Sequence, residues 1–219
     1  MSIRTWVVEQ LRKDSRAVGA IGEHGVQVLR AGRPDAVAYC VEPDTVNPFT
    51  AEALQDAVDE LPQVGMVIVT RRVVDPEVYE RARKLEVCVD TLGGFTRALM
   101  GFDDISQYIH PEESYVRRRM AATKAVMSVT RRGHRAWELG RINGLRPLTI
   151  VTHDRYELTD DGFRTEILSQ YSNLDLDALV ITNSSAQGFG DRVVKSAQQA
   201  GVPLYTLNDF IDEIRKPWT

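Results

Sequence analysis

One pattern occurs twice in this chain and limits what it can become. Residues 66–99, MVIVTRRVVDPEVYERARKLEVCVDTLGGFTRAL, read as buried strand, polar loop, helix, strand and short helix. Residues 178–214, ALVITNSSAQGFGDRVVKSAQQAGVPLYTLNDFIDEI, read the same way. A further strand lies upstream of each block, VAYCVEPD at 37–44 and PLTIVTHD at 147–154, with a helix in between. Strands alternating with helices imply parallel pairing and right-handed crossovers. The fold class expected is therefore α/β, two similar halves of alternating strands and helices with mainly parallel sheets. True duplication and shared periodicity both account for the likeness at this level.

The rest of the chain fits around these blocks. SIRTWVVEQLRKD is an amphipathic helix with Ile3, Trp6, Val7 and Leu11 on one face. Successive strands follow, with a turn at Gly32-Arg33-Pro34-Asp35. Thr50 is placed to cap a helix over 49–61, and Asp75-Pro76 opens another. Residues 1–101 make the first half and 102–113, with Gly, paired Asp and Pro close by, a linker. Residues 114–219 make the second half. It is expected to open with a long basic helix, from about Ser114 to Asn143, and to continue as a Rossmann-like α/β half.

Charge is distributed unevenly. The formal net charge is −4, yet residues 115–146 hold Arg117, Arg118, Arg119, Lys124, Arg131, Arg132, Arg135, Arg141 and Arg146 against the single acid Glu138. Arg117, Lys124, Arg131 and Arg135 share one face if the segment is helical, and such a face neutralises phosphates. Its competing reading is a solvated helix paired with acidic surfaces. No apolar run approaches the ~20 residues needed to span a bilayer, and the amino-terminal segment lacks signal-peptide character. Cys40 and Cys88 sit in expected buried strands, as inert thiols in a reduced cytoplasm would. A disulfide requires that those strands be neighbours.

Two loops leave parallel strands where such sheets bind ligands. Thr182, Ser184, Ser185, Gly188 and Gly190 offer hydroxyls and glycines ahead of a helix, a setting for an anion or nucleotide. Turns and caps use the same residues. Arg71 and Arg72 occupy the matching loop of the first half. His153 and Asp154 follow another strand, but the four histidines show no metal-ligand spacing, and no metal or cofactor is expected.

Residues 3–99 resemble the Mrr-type branch of the restriction-endonuclease-like fold. WVVEQL stands for its leading helix and GVQV (25–28) for its metal-carboxylate strand. AYCVEP (38–43) stands for the strand ending in Gln-X-Lys or Glu-X-Lys, VIVT (67–70) for the Thr-ended strand, and VCVD (87–90) closes the unit. Where the family has its Asp this chain has Gln27, and where it has its Lys this chain has Val41. Metal-dependent cleavage needs carboxylates to hold the ion and a Lys to assist water. Asp35 and Glu42 are the nearby substitutes for catalysis.

The resemblance and the basic segment together imply a non-catalytic, cytoplasmic protein that associates with nucleic acid, DNA ahead of RNA, in phage defence or DNA metabolism. Arg117, Lys124, Arg131, Arg132 and Arg135, aided by Arg71 and Arg72, are the expected phosphate contacts. The alternatives are a nucleotide or small-molecule sensor using the 182–190 loop, and an active metal-dependent nuclease. An isologous homodimer is the default assembly.

Overall fold

The continuous apolar runs at 36–41, 66–69, 148–153 and 178–181 become the central strands of two separate sheets. The computed structural model describes residues 2–218. The chain divides between His110 and Pro111 into two units.

In the first unit, α1 (Ile3–Lys13) precedes β1 (Ala17–Ile21), β2 (Gly25–Leu29) and β3 (Ala36–Val41). These strands form an antiparallel meander. α2 (Ala51–Glu60) leads to β5 (Met66–Val69) and α3 (Pro76–Lys84) to β7 (Cys88–Asp90), both parallel to β3; α4 (Leu92–Gly101) ends the repeat-like part. The sheet order is β1-β2-β3-β5-β7. One face carries α1 and α4, with Val7, Leu11, Phe95 and Ala98 packed on Ala38, Cys40 and Ile68. The other carries α2 and α3, through Leu54, Ala57, Val78 and Ala82. Cover on both faces explains why β3 and β5 are apolar throughout. β4 (Asp44–Phe49) and β6 (Arg72–Val74) form a small parallel pair that the sequence did not suggest.

The second unit repeats that connectivity. α5 (Pro111–Ala122) precedes β8 (Val126–Arg131), β9 (Ala136–Arg141) and β10 (Leu148–His153), again an antiparallel meander. α6 (Asp160–Gly162) runs into a π-helical stretch at Phe163–Ser169. β11 (Ala178–Ile181), α7 (Asp191–Ala200), β12 (Leu204–Thr206) and α8 (Leu207–Glu213) complete it, with β11 parallel to both β10 and β12. α5 and α8 cover one face through Val116, Met120, Phe210 and Ile214. The π-helical stretch and α7 cover the other, through Phe163, Ile167, Val193 and Ala197. Even the bond beside the start of the middle strand matches: Cys40 N donates to His24 O and Thr152 N to Arg135 O, each at 2.9 Å.

Three expectations change. The long basic helix does not exist: α5 stops at Ala122, Lys124 takes a left-handed φ of 55°, and a β-hairpin occupies 126–141. Ala, Met and Arg favour helix there, but β-branched Val126, Val129 and Thr130 gain a ladder with β9, and tertiary pairing overrides propensity. Each five-stranded sheet is accordingly mixed rather than mainly parallel. The segment 102–113 is no free tether, because Ile105 and Tyr108 are buried in the first core and Pro111 already starts α5. Cys40 and Cys88 are free thiols on strands separated by β5. No helix among the described residues is long and apolar enough to cross a membrane.

Candidate ligand hollow and ionic cluster

Most of the basic residues expected to meet phosphate meet carboxylates instead. Arg117 donates through Nε and Nη2 to Glu113 Oε1 at 2.9 and 2.7 Å. Arg131 Nη1 lies 3.5 Å from Glu113 Oε2. Arg132 Nη2 lies 3.0 Å from Glu138 Oε2. Arg135 bridges Glu112, at 3.2 Å from Nε to Oε2, and Asp154. These arginines do not share a helix face, since they fall on α5, on β8 and in the β8–β9 turn. Lys124 is exposed in the turn after α5. In the first unit Arg71 is exposed, whereas Arg72 donates to the Asn47 and Pro48 carbonyls at 3.0 and 3.2 Å and tethers the small parallel pair.

Sequence reasoning passed over the acids that make this cluster. Glu112 is buried because α5 presents 112, 116 and 120 to the sheet at i, i+4 and i+8, and Glu113 beside it is buried between Arg117 and Arg131. Glu112 also accepts a hydrogen bond from Thr182 Oγ1, at 3.2 Å. Burial raises its carboxyl above the usual range, and Arg135 opposes that rise. Burial works against the Arg135 charge too, but Glu112 and Asp154 outweigh it and hold the guanidinium firmly charged. Tyr171, buried beneath, accepts from the Arg135 main-chain N at 3.0 Å, and burial pushes its phenol up to about 12. His153 is likewise buried, bonded through Nε2 to the Glu157 carbonyl, and burial lowers its pKa. The imidazole is thus tied down inside the fold, and Asp154 serves Arg135.

The residues named for catalysis are engaged separately. Asp35 is exposed and accepts from Gln27 Nε2 at 3.0 Å. Glu42 accepts from Ile3 N at 3.1 Å, capping the start of α1. Val41 is buried in the apolar layer with Phe49, Leu54 and Val69. Among the described residues no group of three or more His, Cys, Asp and Glu is placed to hold a metal ion.

The 182–190 loop does border a hollow. It has a volume of ≈350 Å³ and lies where β11 and β12 end. Thr182, Ser184 and Gly188 line it, Gly188 at a φ of 90° that favours glycine. Ser185 is exposed, its N–H turned to Asn183 Oδ1, and Gly190 caps α7 outside the hollow. Tyr115 and Arg119 enter from α5, one turn apart, with Asn208 opposite. Arg119 Nη2 reaches Asn208 Oδ1 at 3.4 Å, a carboxamide rather than a carboxylate. Arg119 was passed over inside a run of three arginines whose partners the sequence does not distinguish.

No family model, no curated protein and no solved structure matches this chain.

Proposed function

We propose that the second unit is a recognition module for a small anionic molecule of the nucleotide class, held in the hollow between the 182–190 loop and α5. The observation that carries this reading is the hollow itself. It lies at the carboxyl ends of parallel strands, where sheets of this kind take ligands. Its ≈350 Å³ falls within the size range of small-molecule sites. One guanidinium, one phenol ring, hydroxyls and two carboxamides line it without a carboxylate, a set suited to an anionic head and a polar, flat body. A ligand bound only by the folded state raises its melting temperature. Thermal-shift measurement against mono-, di- and cyclic nucleotides is expected to find at least one stabilising compound, with the shift lost in Arg119→Ala. A flat response across the panel would end this reading.

A second reading keeps the nucleic-acid association, in DNA metabolism or phage defence. It is favoured by the order helix, three antiparallel strands, helix, parallel strand, which occurs in both units and resembles the endonuclease-like core. Against it, Arg117, Arg131, Arg132 and Arg135 spend their charge on Glu113, Glu138, Glu112 and Asp154. A cleaving nuclease finds less support still, with Val41 walled in by apolar side chains. Filter binding to duplex and single-stranded DNA at low salt separates the two readings, since phosphate contacts weaken steeply as salt rises.

A further inference from the structure

A second hollow in the same unit lies away from the first. The turn after α5 and the turn after β9 meet there with the tail that follows α8, enclosing ≈530 Å³. Thr123, Lys124, Asn143 and Arg215 give it its polar lining, Arg215 Nη2 donating to the Thr123 carbonyl at 3.0 Å, and no acidic side chain lines it. Lys124 and Asn143 both hold left-handed backbone, with φ of 55° and 59°, which turns the chain sharply at each side.

Arg141 adds an unusual feature beside it. Its residue is 3% exposed. Its guanidinium donates only to main-chain carbonyls, those of Arg146 at 2.7 Å, Ile214 at 3.1 Å and Lys216 at 2.7 Å. Among the described residues it forms no ion pair with a carboxylate, and its Nη2 has no hydrogen-bond partner. The two tail carbonyls it holds flank Arg215, and the next residue, Ile142, lines the hollow and bonds the Ala125 carbonyl. Arg141 thus fixes the tail segment that carries Arg215. Burial depresses its pKa, the positive Arg146 adds to the effect, and the negative Asp177 opposes it. A buried N–H left unmet is costly.

We propose that this hollow is an anion site for a phosphate group, bound by Lys124 and Arg215 together with the Asn143 carboxamide. Two exposed cations suit a dianion better than a carboxylate, and a phosphate offers several acceptor oxygens to Lys, Arg and the Asn143 carboxamide. Such a group comes either free, as phosphate or a phosphomonoester, or from a nucleic-acid backbone.

Calorimetric titration of the whole chain with inorganic phosphate, at constant ionic strength, tests it. Saturable binding is expected, weakened tenfold or more by Lys124→Ala and by Arg215→Ala and unchanged by Arg119→Ala, which belongs to the other hollow. Arg141 is left intact because it also anchors the tail. A labelled oligothymidylate then separates the sources. If it competes with phosphate and is lost in the same variants, backbone phosphate is the natural group. If phosphate binds and the oligomer does not compete, a free phosphate compound is. Absence of saturable binding by both probes, or binding indifferent to both substitutions, overturns the proposal.

Discussion

Replacing Arg135 with methionine tests how the second unit tolerates its buried acids. The change keeps the main-chain N–H to Tyr171 and much of the side-chain volume, but removes the charge between Glu112 and Asp154. At 3.2 Å and an effective dielectric of ~20, the attraction to Glu112 is about 5 kcal/mol before desolvation is counted. The Glu112 side chain is 4% exposed and that of Arg135 22%, so the pair is buried on one side and partly wet on the other. Stranding one member of a fully buried pair costs ~3–5 kcal/mol, and the exposed side reduces this to roughly 2–4 kcal/mol. Urea unfolding followed by Trp137 fluorescence in a Trp6→Phe, Trp218→Phe background would report it. The loss should shrink as pH falls, because a stranded Glu112 escapes by taking a proton. The sign follows from the carboxyl pKa rising further in the variant than in the parent, so the two converge once both are protonated. Arg135→Met with Glu112→Gln should recover much of the loss. A cost below about 1 kcal/mol that does not vary between pH 5 and 8 would refute the view that these charges depend on each other.

Three further outcomes follow from the same structure. Thr152→Val keeps the shape but strands the Trp137 Nε1–H, now donating to Thr152 Oγ1 at 3.0 Å, and should cost ~1–3 kcal/mol by urea unfolding. Thr91→Ala and Thr206→Ala each remove a side chain accepting from the N–H three residues on, at the starts of α4 and α8, and each should cost about 1 kcal/mol in thermal melts. Cys40, whose thiol burial pushes up to about 12, should resist a thiol-reactive dye in the native state and react on unfolding. Its contribution to stability is complete below the ordinary thiol pKa and is lost as pH rises through about 12.

Much of the α/β architecture was legible because strand and helix periodicities are strong. The threonines even mark the repeat: Thr50 and Thr159 cap α2 and α6, Thr91 and Thr206 cap α4 and α8, and Thr70 and Thr182 follow β5 and β11. The hairpin at 126–141 was hidden because Ala121, Ala122, Met127 and the arginines carry helical propensity, while the ladder that decides the matter comes from β9 and β10. The site was less legible. Thr182, Ser184 and Gly188 were found from their place after a strand, but Arg119 and Asn208 are brought in by other elements. The basic segment misled because cations are visible in sequence and their partners are not: Glu112 looked like boundary polarity until its i, i+4, i+8 spacing with Val116 and Met120 placed it inside.

That spacing has a counterpart. α1 buries Ile3, Val7 and Leu11 at the same intervals at which α5 buries Glu112, Val116 and Met120. Two sheets with the same wiring on one chain invite the wrong leading helix to dock during synthesis, the characteristic error of tandem folds. If α5 settled on the first sheet, its opening carboxylate would meet neither Arg135 nor Thr182. If α1 settled on the second, Arg135 would face an isoleucine. The ionic cluster thus gives α5 partners in its own unit that the first sheet lacks.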